Sequence, residues 1–316
     1  MTLARTALGT LRGVRSPGLR TFKGVRYAAP ARRFAAPSPA VPWEGIADAV
    51  TPGAPAPQRP GRMSWVPGLG LDPAAGREDC LYLNIWTPSC EERLPVLVFV
   101  HGGAFVSGSG AQRMYDGGAP ARDHGLVVVT ANYRPGLFGL WYGDGVPANL
   151  ALRDHIAALE WVRDHISALG ADPAEATAAD LLSAEDTTGR TVPPVGGLLP
   201  FAPVADGTSV VGVGRLGAGA TSAAGVDAPA ARGSFRRHAE EIVRAHRGPA
   251  RHLVCAHRSP MSHGGIALGA CHLVDVPLYF GTHGSRLTGS GPEVTELAHS
   301  MTKEFARFCR GDRTPE

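Results

Sequence analysis

The sequence predicts an α/β fold, and three features predict it. Pro95-Val96-Leu97-Val98-Phe99-Val100 and Leu126-Val127-Val128-Val129-Thr130-Ala131-Asn132-Tyr133 are continuous apolar runs, the pattern of strands buried on both faces of a mostly parallel sheet. Residues 149–170 carry Leu152, Ile156, Leu159, Val162, Ile166 and Leu169 at spacings of three and four, which predicts a helix with those side chains on one face. Strand, loop, strand, helix in succession is the α/β arrangement.

The other elements follow in chain order. Leu8 to Val14 and Leu19 to Val25 flank Ser16-Pro17-Gly18, and two β-like runs around a Pro-Gly turn predict a hairpin. Residues 51–78 predict a loop, because Pro52, Pro55, Pro57, Pro60, Pro67 and Pro73 would interrupt any ladder. Leu81-Tyr82-Leu83-Asn84-Ile85-Trp86 alternates as a half-buried strand does. At the ends of the 149–170 helix, Asn149 fits the N-cap and Gly170 the position just past the last turn. From 171 to 234 Ala, Gly, Pro, Ser and Thr dominate and the regularity fails. Phe235 to His246 then reads as helix, Arg251 to Ala256 as a short strand and Val276 to Phe280 as an apolar patch. Glu293 to Cys309 reads as an amphipathic helix with Leu297, Met301, Phe305 and Phe308 on its buried face.

Composition narrows the classes. In 316 residues, Lys+Arg 31 against Asp+Glu 28 leaves a net charge of +3, too even for a nucleic-acid reader with its basic stripe. Gly 41 and Pro 27 form about a fifth of the chain, against roughly 12% in average usage, so turns are many. The 44% hydrophobic content nevertheless excludes a disordered chain. No run of about 18 apolar residues predicts a transmembrane helix, and Met1 to Gly13 lacks the apolar core of a secretory signal. The five cysteines form no Cys-x-x-Cys pair, and the 12 histidines form no His-Glu-x-x-His pattern. No disulfide framework, zinc site or other cofactor is predicted. The expectation is a soluble, cytoplasmic protein with no nucleic-acid or membrane partner.

Chemistry enters at His101-Gly102-Gly103-Ala104-Phe105, directly after the buried strand 96–100. A glycine-rich loop at the carboxyl end of such a strand lets backbone N–H groups point into a cleft, where they can stabilise the oxygen of an attacked ester carbonyl. A plain strand-to-loop turn is the alternative.

With these residues in view, the chain resembles the type-B carboxylesterases, the family of bacterial para-nitrobenzyl esterases and the cholinesterases. Glu78-Asp79-Cys80-Leu81-Tyr82-Leu83-Asn84 matches one of the two family signatures. Phe22 to Ala28, Arg33-Phe34, Asn132-Tyr133-Arg134, Asn149 to Asp154 and Trp161 to Ile166 continue the likeness up to Asp172-Pro173. Leu199 to Gly207 and Arg258 to Phe280 resemble later family segments. The resemblance implies one α/β-hydrolase domain over 1–316, with a mostly parallel sheet and flanking helices. Within it 1–170 is well matched, 171–234 is irregular, and 235–316 carries the histidine. It assigns Gly103 and Ala104 to the oxyanion hole and His272, in Leu268-Gly269-Ala270-Cys271-His272-Leu273, to the catalytic base.

The departures matter as much. The family nucleophile stands in Gly-x-Ser-x-Gly on a strand-turn-helix elbow shortly after the Asp172-Pro173 position. No serine of this sequence has glycine on both sides at that spacing. Ser183, the nearest candidate, has Leu181 and Glu185 at those positions, and their side chains would crowd the turn. The acidic member of the triad has no recognisable counterpart after Gly217 to Val226; Glu240 and Glu241 read as solvated charges. The sheet is therefore expected to be incomplete, its elbow strand and helix missing. Three readings stay open. The chain is an ester hydrolase with a displaced serine, or a non-hydrolytic relative that binds a small ester or apolar ligand or uses His272 and the Gly103 and Ala104 amides for acid–base chemistry, or a truncated product without function. Cys271 is adjacent to its would-be base, and adjacent side chains diverge.

Overall fold

The computed structural model describes residues 1–30, 32–61, 63–143, 145–172, 255–271 and 273–311. At the N-terminus β1 (Thr2–Thr6), β2 (Gly9–Ser16) and β3 (Leu19–Arg26) form an antiparallel meander. The hairpin expected around Pro17-Gly18 closes with Ser16 opposite Leu19. The strand β4 (Ile46–Asp48) lies parallel to β2 on its other side. The proline-rich stretch that follows forms a loop broken only by a 3-10 turn at Pro73–Ala75.

The next strand, β5 (Tyr82–Thr87), pairs antiparallel with β3. It is not half-buried as its alternation predicts: every residue from Leu83 to Thr87 is buried. The reason is its place between β3 and a second partner, with a core on each face. Asn84 tolerates that burial because its carbonyl accepts from Gly24 N–H and its amide donates to Thr130 Oγ1, which satisfies a polar side chain away from water.

The two apolar runs are β6 (Val96–Val100) and β7 (Val127–Ala131), joined through the short helix α1 (Gly118–His124). They pair in parallel from Val96–Val127 to Val100–Ala131, and β7 pairs antiparallel with β5 on its other side. Helix α2 (Gly136–Leu140) and helix α3 (Leu150–His165) follow, with a 3-10 extension at Ile166–Leu169 ending at Gly170. Beyond it Gly170 O accepts from Leu94 N–H and Asp172 N–H donates to Leu94 O, so the chain returns alongside the start of β6. The C-terminal described residues form the hairpin β8 (Ser259–His263) and β9 (Ile266–Gly269), the short helix α4 (Val276–Tyr279) and the long helix α5 (Pro292–Cys309).

The main sheet runs β1-β2-β3-β5-β7-β6, with β4 beside β2. Between the strands, parallel pairing among the described residues is confined to β6–β7 and β2–β4, with isolated parallel bridges at Lys23–Val50 and Leu94–Ala171. The meander is antiparallel because two-residue links leave no room for the crossover that parallel neighbours need; α1 supplies one only between β6 and β7.

The period-two alternation of β6 and β7 divides two cores. Val96, Val98, Val127 and Val129 face one together with Leu83, Ile85, Trp161, Val162, Ile166 and Leu169. Leu97 and Val128 face the other with Trp86, Tyr115, Leu126, Phe280 and Cys309, and Phe99 packs against them. The sheet is thus sandwiched, α3 on one side and α1, α4 and α5 on the other.

Along α3 and its 3-10 extension Leu152, Val162, Ile166 and Leu169 are buried as expected, but two of the six expected residues are not, and α5 buries a neighbouring stripe. On α3, Ile156 is exposed and Leu159 only half-buried, while Asp154, His155, Ala158 and Trp161 are buried. Arg134 causes the rotation, because it draws Asp154 inward. Asn149 takes the N-cap position, but its side chain makes no capping bond. On α5 the buried stripe is Ala298, Thr302, Ala306 and Cys309, one position on from the predicted apolar residues. Small side chains let this helix approach closely, and Thr302 Oγ1 donates to Ala298 O within the helix or to Leu278 O of α4. The helix expected at Phe235 to His246, the irregular 171–234 beyond residue 172, and most of the strand expected at Arg251 to Ala256 lie outside the described residues.

Candidate functional site

At the end of β6 the chain turns through His101 to Gly108. His101 is buried, whereas Gly102, Gly103 and Ala104 are exposed. Gly103 carries φ +124, and a Cβ there would lie 1.8 Å from Ser107 O. Only glycine fits that position. Its carbonyl accepts from both Val106 N–H at 3.0 Å and Ser107 N–H at 3.2 Å, which closes the turn. Ala104 and Phe105 follow with φ of 52 and 57. Two successive non-glycine residues in the left-handed region each cost roughly 1–2 kcal/mol, so surrounding contacts must impose the conformation.

Two contacts impose it. Phe105 O accepts from Gly136 N–H at the start of α2. Below the loop, His101 Nδ1 lies 2.8 Å from Gly102 O, so Nδ1–H is the donor. A trans peptide points its C=O and N–H in opposite directions. With Gly102 O held inward, Gly103 N–H points outward. Neither Gly103 N–H nor Ala104 N–H donates to any described residue. Gly108 makes the imidazole's place, since a Cβ there would lie 2.3 Å from His101 Nδ1.

The His101 ring stacks on Tyr133 at 4.2 Å and 14°. His155 of α3 meets the same tyrosine edge-on at 4.5 Å and 84°, and Phe105 covers both Tyr133 and His155. His101 Nε2, His155 Nδ1 and His155 Nε2 are buried with no hydrogen-bond partner. Burial opposes the charged form of each ring. It pushes His101 down to about 4 and, with His101 nearby, His155 down to about 3.

Around this stack the motif residues are tied together. Asn132 Oδ1 accepts from Ser109 Oγ at 2.9 Å and Gly110 N–H at 2.8 Å, and Asn132 Nδ2 donates to Ala54 O at 3.0 Å. Gln58 holds Gly108 from both sides, donating to its O at 2.9 Å and accepting from its N–H at 2.6 Å. Arg134 meets Asp154 through Nε at 2.8 Å, Nη2 at 2.6 Å and its own backbone N–H at 3.1 Å. In the Glu78 to Asn84 signature, Asp79 forms a two-bond pair with Arg26, and Glu78 pairs with Arg33. The Arg26–Asp79 pair fastens the end of β3 to the segment that enters β5.

The predicted Gly103 and Ala104 thus stand on a fixed turn at the carboxyl end of β6. The predicted base His272 and the candidate nucleophile Ser183 both lie outside the described residues. The flank of His272 is placed: Cys271, Leu268 and Val274 belong to the buried cluster of Leu97 and Tyr115, and Thr282 Oγ1 donates to Met114 O at 3.0 Å. Burial raises the Cys271 thiol, which weakens it as a nucleophile. Sequence reading missed His101, Tyr133 and His155 as a unit. No local pattern signals it, because the three come from separate segments. Among the described residues no group of three His, Cys, Asp or Glu side chains could hold a metal, and no helix is long and apolar enough to cross a membrane.

Comparison with known proteins places these features. The sequence profile of the carboxylesterase family matches residues 2–179. The para-nitrobenzyl esterase of Bacillus subtilis (strain 168) is 38% identical over 183 residues, which are 55% of this chain and 37% of that protein. The phenmedipham hydrolase of Pseudarthrobacter oxydans is 41% identical over 177 residues, 54% of this chain and 35% of the other. Among solved structures, an esterase from anaerobic Clostridium hathewayi that can hydrolyze aliphatic aromatic polyesters superimposes with a TM-score of 0.50 at 39% identity, over 56% of this chain and 37% of that one. The chain spans little more than a third of the length of the curated relatives it matches. The profile match stops short of Leu199 to Gly207 and Arg258 to Phe280, whose likeness rests on their residues alone.

Proposed function

The chain belongs to the carboxylesterase family and carries its α/β-hydrolase fold, and on that premise we propose that the turn Gly102 to Phe105 is the oxyanion-binding part of an ester site whose serine elbow this chain lacks. The family reaction is hydrolysis of a carboxylic ester. A serine oxygen attacks the carbonyl carbon, a histidine takes the serine proton and returns it to the leaving alcohol, and backbone N–H groups stabilise the negative oxygen between. The observation that carries this reading is the pair of N–H groups at Gly103 and Ala104 that donate to none of the described residues. His101 aims the first of them, and a left-handed turn fixes the second.

In this reading His272 is the inherited base, and the chain binds a small ester, its carboxylate product or an apolar ligand without turning it over. The nucleophile must lie within about 3 Å of the base and face a point that the oxyanion donors also reach. Ser183 lacks both glycines that permit such a turn. No counterpart of the acidic residue is recognisable, and losing that group alone costs about 10⁴ in rate in a serine protease.

Three measurements test this. Short-chain para-nitrophenyl esters should be hydrolysed no faster than by a histidine background, and a fluorophosphonate should label nothing. Titration with para-nitrobenzyl acetate should shift the Gly103 and Ala104 amide resonances. Stoichiometric labelling of Ser183, abolished by Ser183→Ala and by His272→Ala, would replace this reading with that of an active esterase. Amide resonances that stay put would remove the binding site.

A further inference from the structure

We propose that the buried stack His101–Tyr133–His155 is an acid-released latch, which holds the turn 101–108 in its donor-presenting form near neutral pH and lets it go as the pH falls. The proposal deepens the reading of that turn as an oxyanion loop and rests on it for its functional meaning, though not for its physics.

The first ground is geometric. A neutral imidazole has one N–H donor and one acceptor nitrogen. His155, 3% exposed, has a partner for neither, and His101, 2% exposed, has one only for Nδ1. Leaving a buried polar atom without a partner costs the desolvation of that atom. Native interiors avoid this, so such a cluster calls for an explanation. The second ground is position. The two rings clamp Tyr133 between them, Phe105 of the turn lies over Tyr133 and His155, and His101 holds Gly102 O. Opening the turn is the movement that would give the orphaned nitrogens water.

The groups facing the rings offer a proton no compensation. Tyr133 and Tyr115 present phenols, and burial raises both further. Helix α2, which packs here through Leu140, has no titratable side chain. On α3 the nearest carboxylate, Asp154, has both oxygens on Arg134. Among the described residues the titratable group acting on His155 is His101, which opposes its protonation.

The sign follows. Both rings bind a proton less readily in the closed turn than in the open one, where the ordinary value of 6.5 applies. The closed form is therefore fully favoured above about pH 6.5. It is lost progressively as the pH falls from there toward the depressed values near 4 and 3. At pH 4.5 each ring shifts the equilibrium toward the open form by more than about tenfold.

Amide hydrogen exchange of the whole chain, corrected for the intrinsic pH dependence of exchange, tests this. The reporters are Val106 and Ser107, whose N–H groups are bonded only while the turn is closed; the β7 amides 127–131 report global unfolding. Their protection should fall at least tenfold between pH 7 and pH 4.5 while β7 stays protected. His155→Phe keeps the ring, loses no hydrogen bond and should shrink the fall in protection by at least tenfold, leaving only the share of His101. His101→Phe loses the bond to Gly102 O and should loosen the turn already at pH 7. Protection that is flat with pH, that falls in step with β7, or that falls as far in His155→Phe as in the parent would overturn the latch. If His155→Phe does not fold, the ring proton signals of His155 in the unaltered protein decide. They should titrate together with the loss of Val106 and Ser107 protection, and titration near 6.5 with the turn still closed would overturn the proposal. The ester titration at pH 7 is read separately. Immobile Gly103 and Ala104 resonances would sink the oxyanion reading and leave the latch standing.

Discussion

Asp154 and His155 are neighbours on α3, buried to nearly the same degree, yet the protein treats them in opposite ways. Asp154 receives two guanidinium bonds and a backbone N–H from Arg134, whose remaining Nη1 donates to Ala35 O at 2.8 Å. Every polar atom of that inclusion is occupied. Burial raises the Asp154 carboxyl while Arg134 lowers it, and its three bonds from Arg134 make the ionised pair the form we assign. His155, one residue on, meets only aromatic rings. The difference teaches that depth of burial does not decide what a polar side chain contributes; the occupancy of its hydrogen bonds does.

The comparison predicts effects of opposite sign at adjacent positions. Asp154→Ala leaves a guanidinium buried and unpaired, which should cost about 3–5 kcal/mol and lower the urea midpoint accordingly; a cost under about 1 kcal/mol would show that Arg134 finds another partner. Gly103→Ala comes next. The added Cβ meets Ser107 O, so the turn must rearrange at roughly 1–3 kcal/mol. Its Gly103 and Ala104 amide resonances should no longer respond to an ester, and a retained response would mean that another conformation serves equally well. His155→Phe should raise stability by about 1–3 kcal/mol, the desolvation cost removed with its unpartnered nitrogens. A loss in urea denaturation at pH 7 would show that a polar partner has been overlooked. Smallest of all is Arg33→Ala. Its pairing with Glu78 is exposed on both sides, and pairs of that kind contribute little in water. Thermal denaturation should not distinguish it from the parent.

The same contrast explains what the sequence makes legible. The β2–β3 hairpin is readable because Pro17-Gly18 states its turn locally, and β6 and β7 are readable because five-residue apolar runs have few other uses. The turn through Gly103 and Ala104 is readable because a glycine-rich motif follows a strand without a gap. The buried face of α3 is readable only in part: Leu152, Val162, Ile166 and Leu169 are buried as their spacing predicts. Counting apolar residues puts Ile156 inside, but Arg134, 20 residues before Asp154, pulls a carboxylate in and turns Ile156 out to 48% exposure. On α5 the apolar count picks Leu297, Met301 and Phe305 and misses the small residues beside them, which close approach favours. The histidine stack is beyond local patterning altogether. It brings together a strand end, the segment after β7 and a helix, and only the assembled sheet makes them neighbours.

The two-sided burial of β7 carries a historical consequence. Val127, Val129 and Ala131 serve one core and Val128 the other, with β5 and β6 on both edges. A slip of one residue would exchange every partner at once, so no insertion or deletion here can be absorbed by sliding. Lineages descending from this chain can alter the centre of the sheet only by substitutions that keep side-chain volume on both faces.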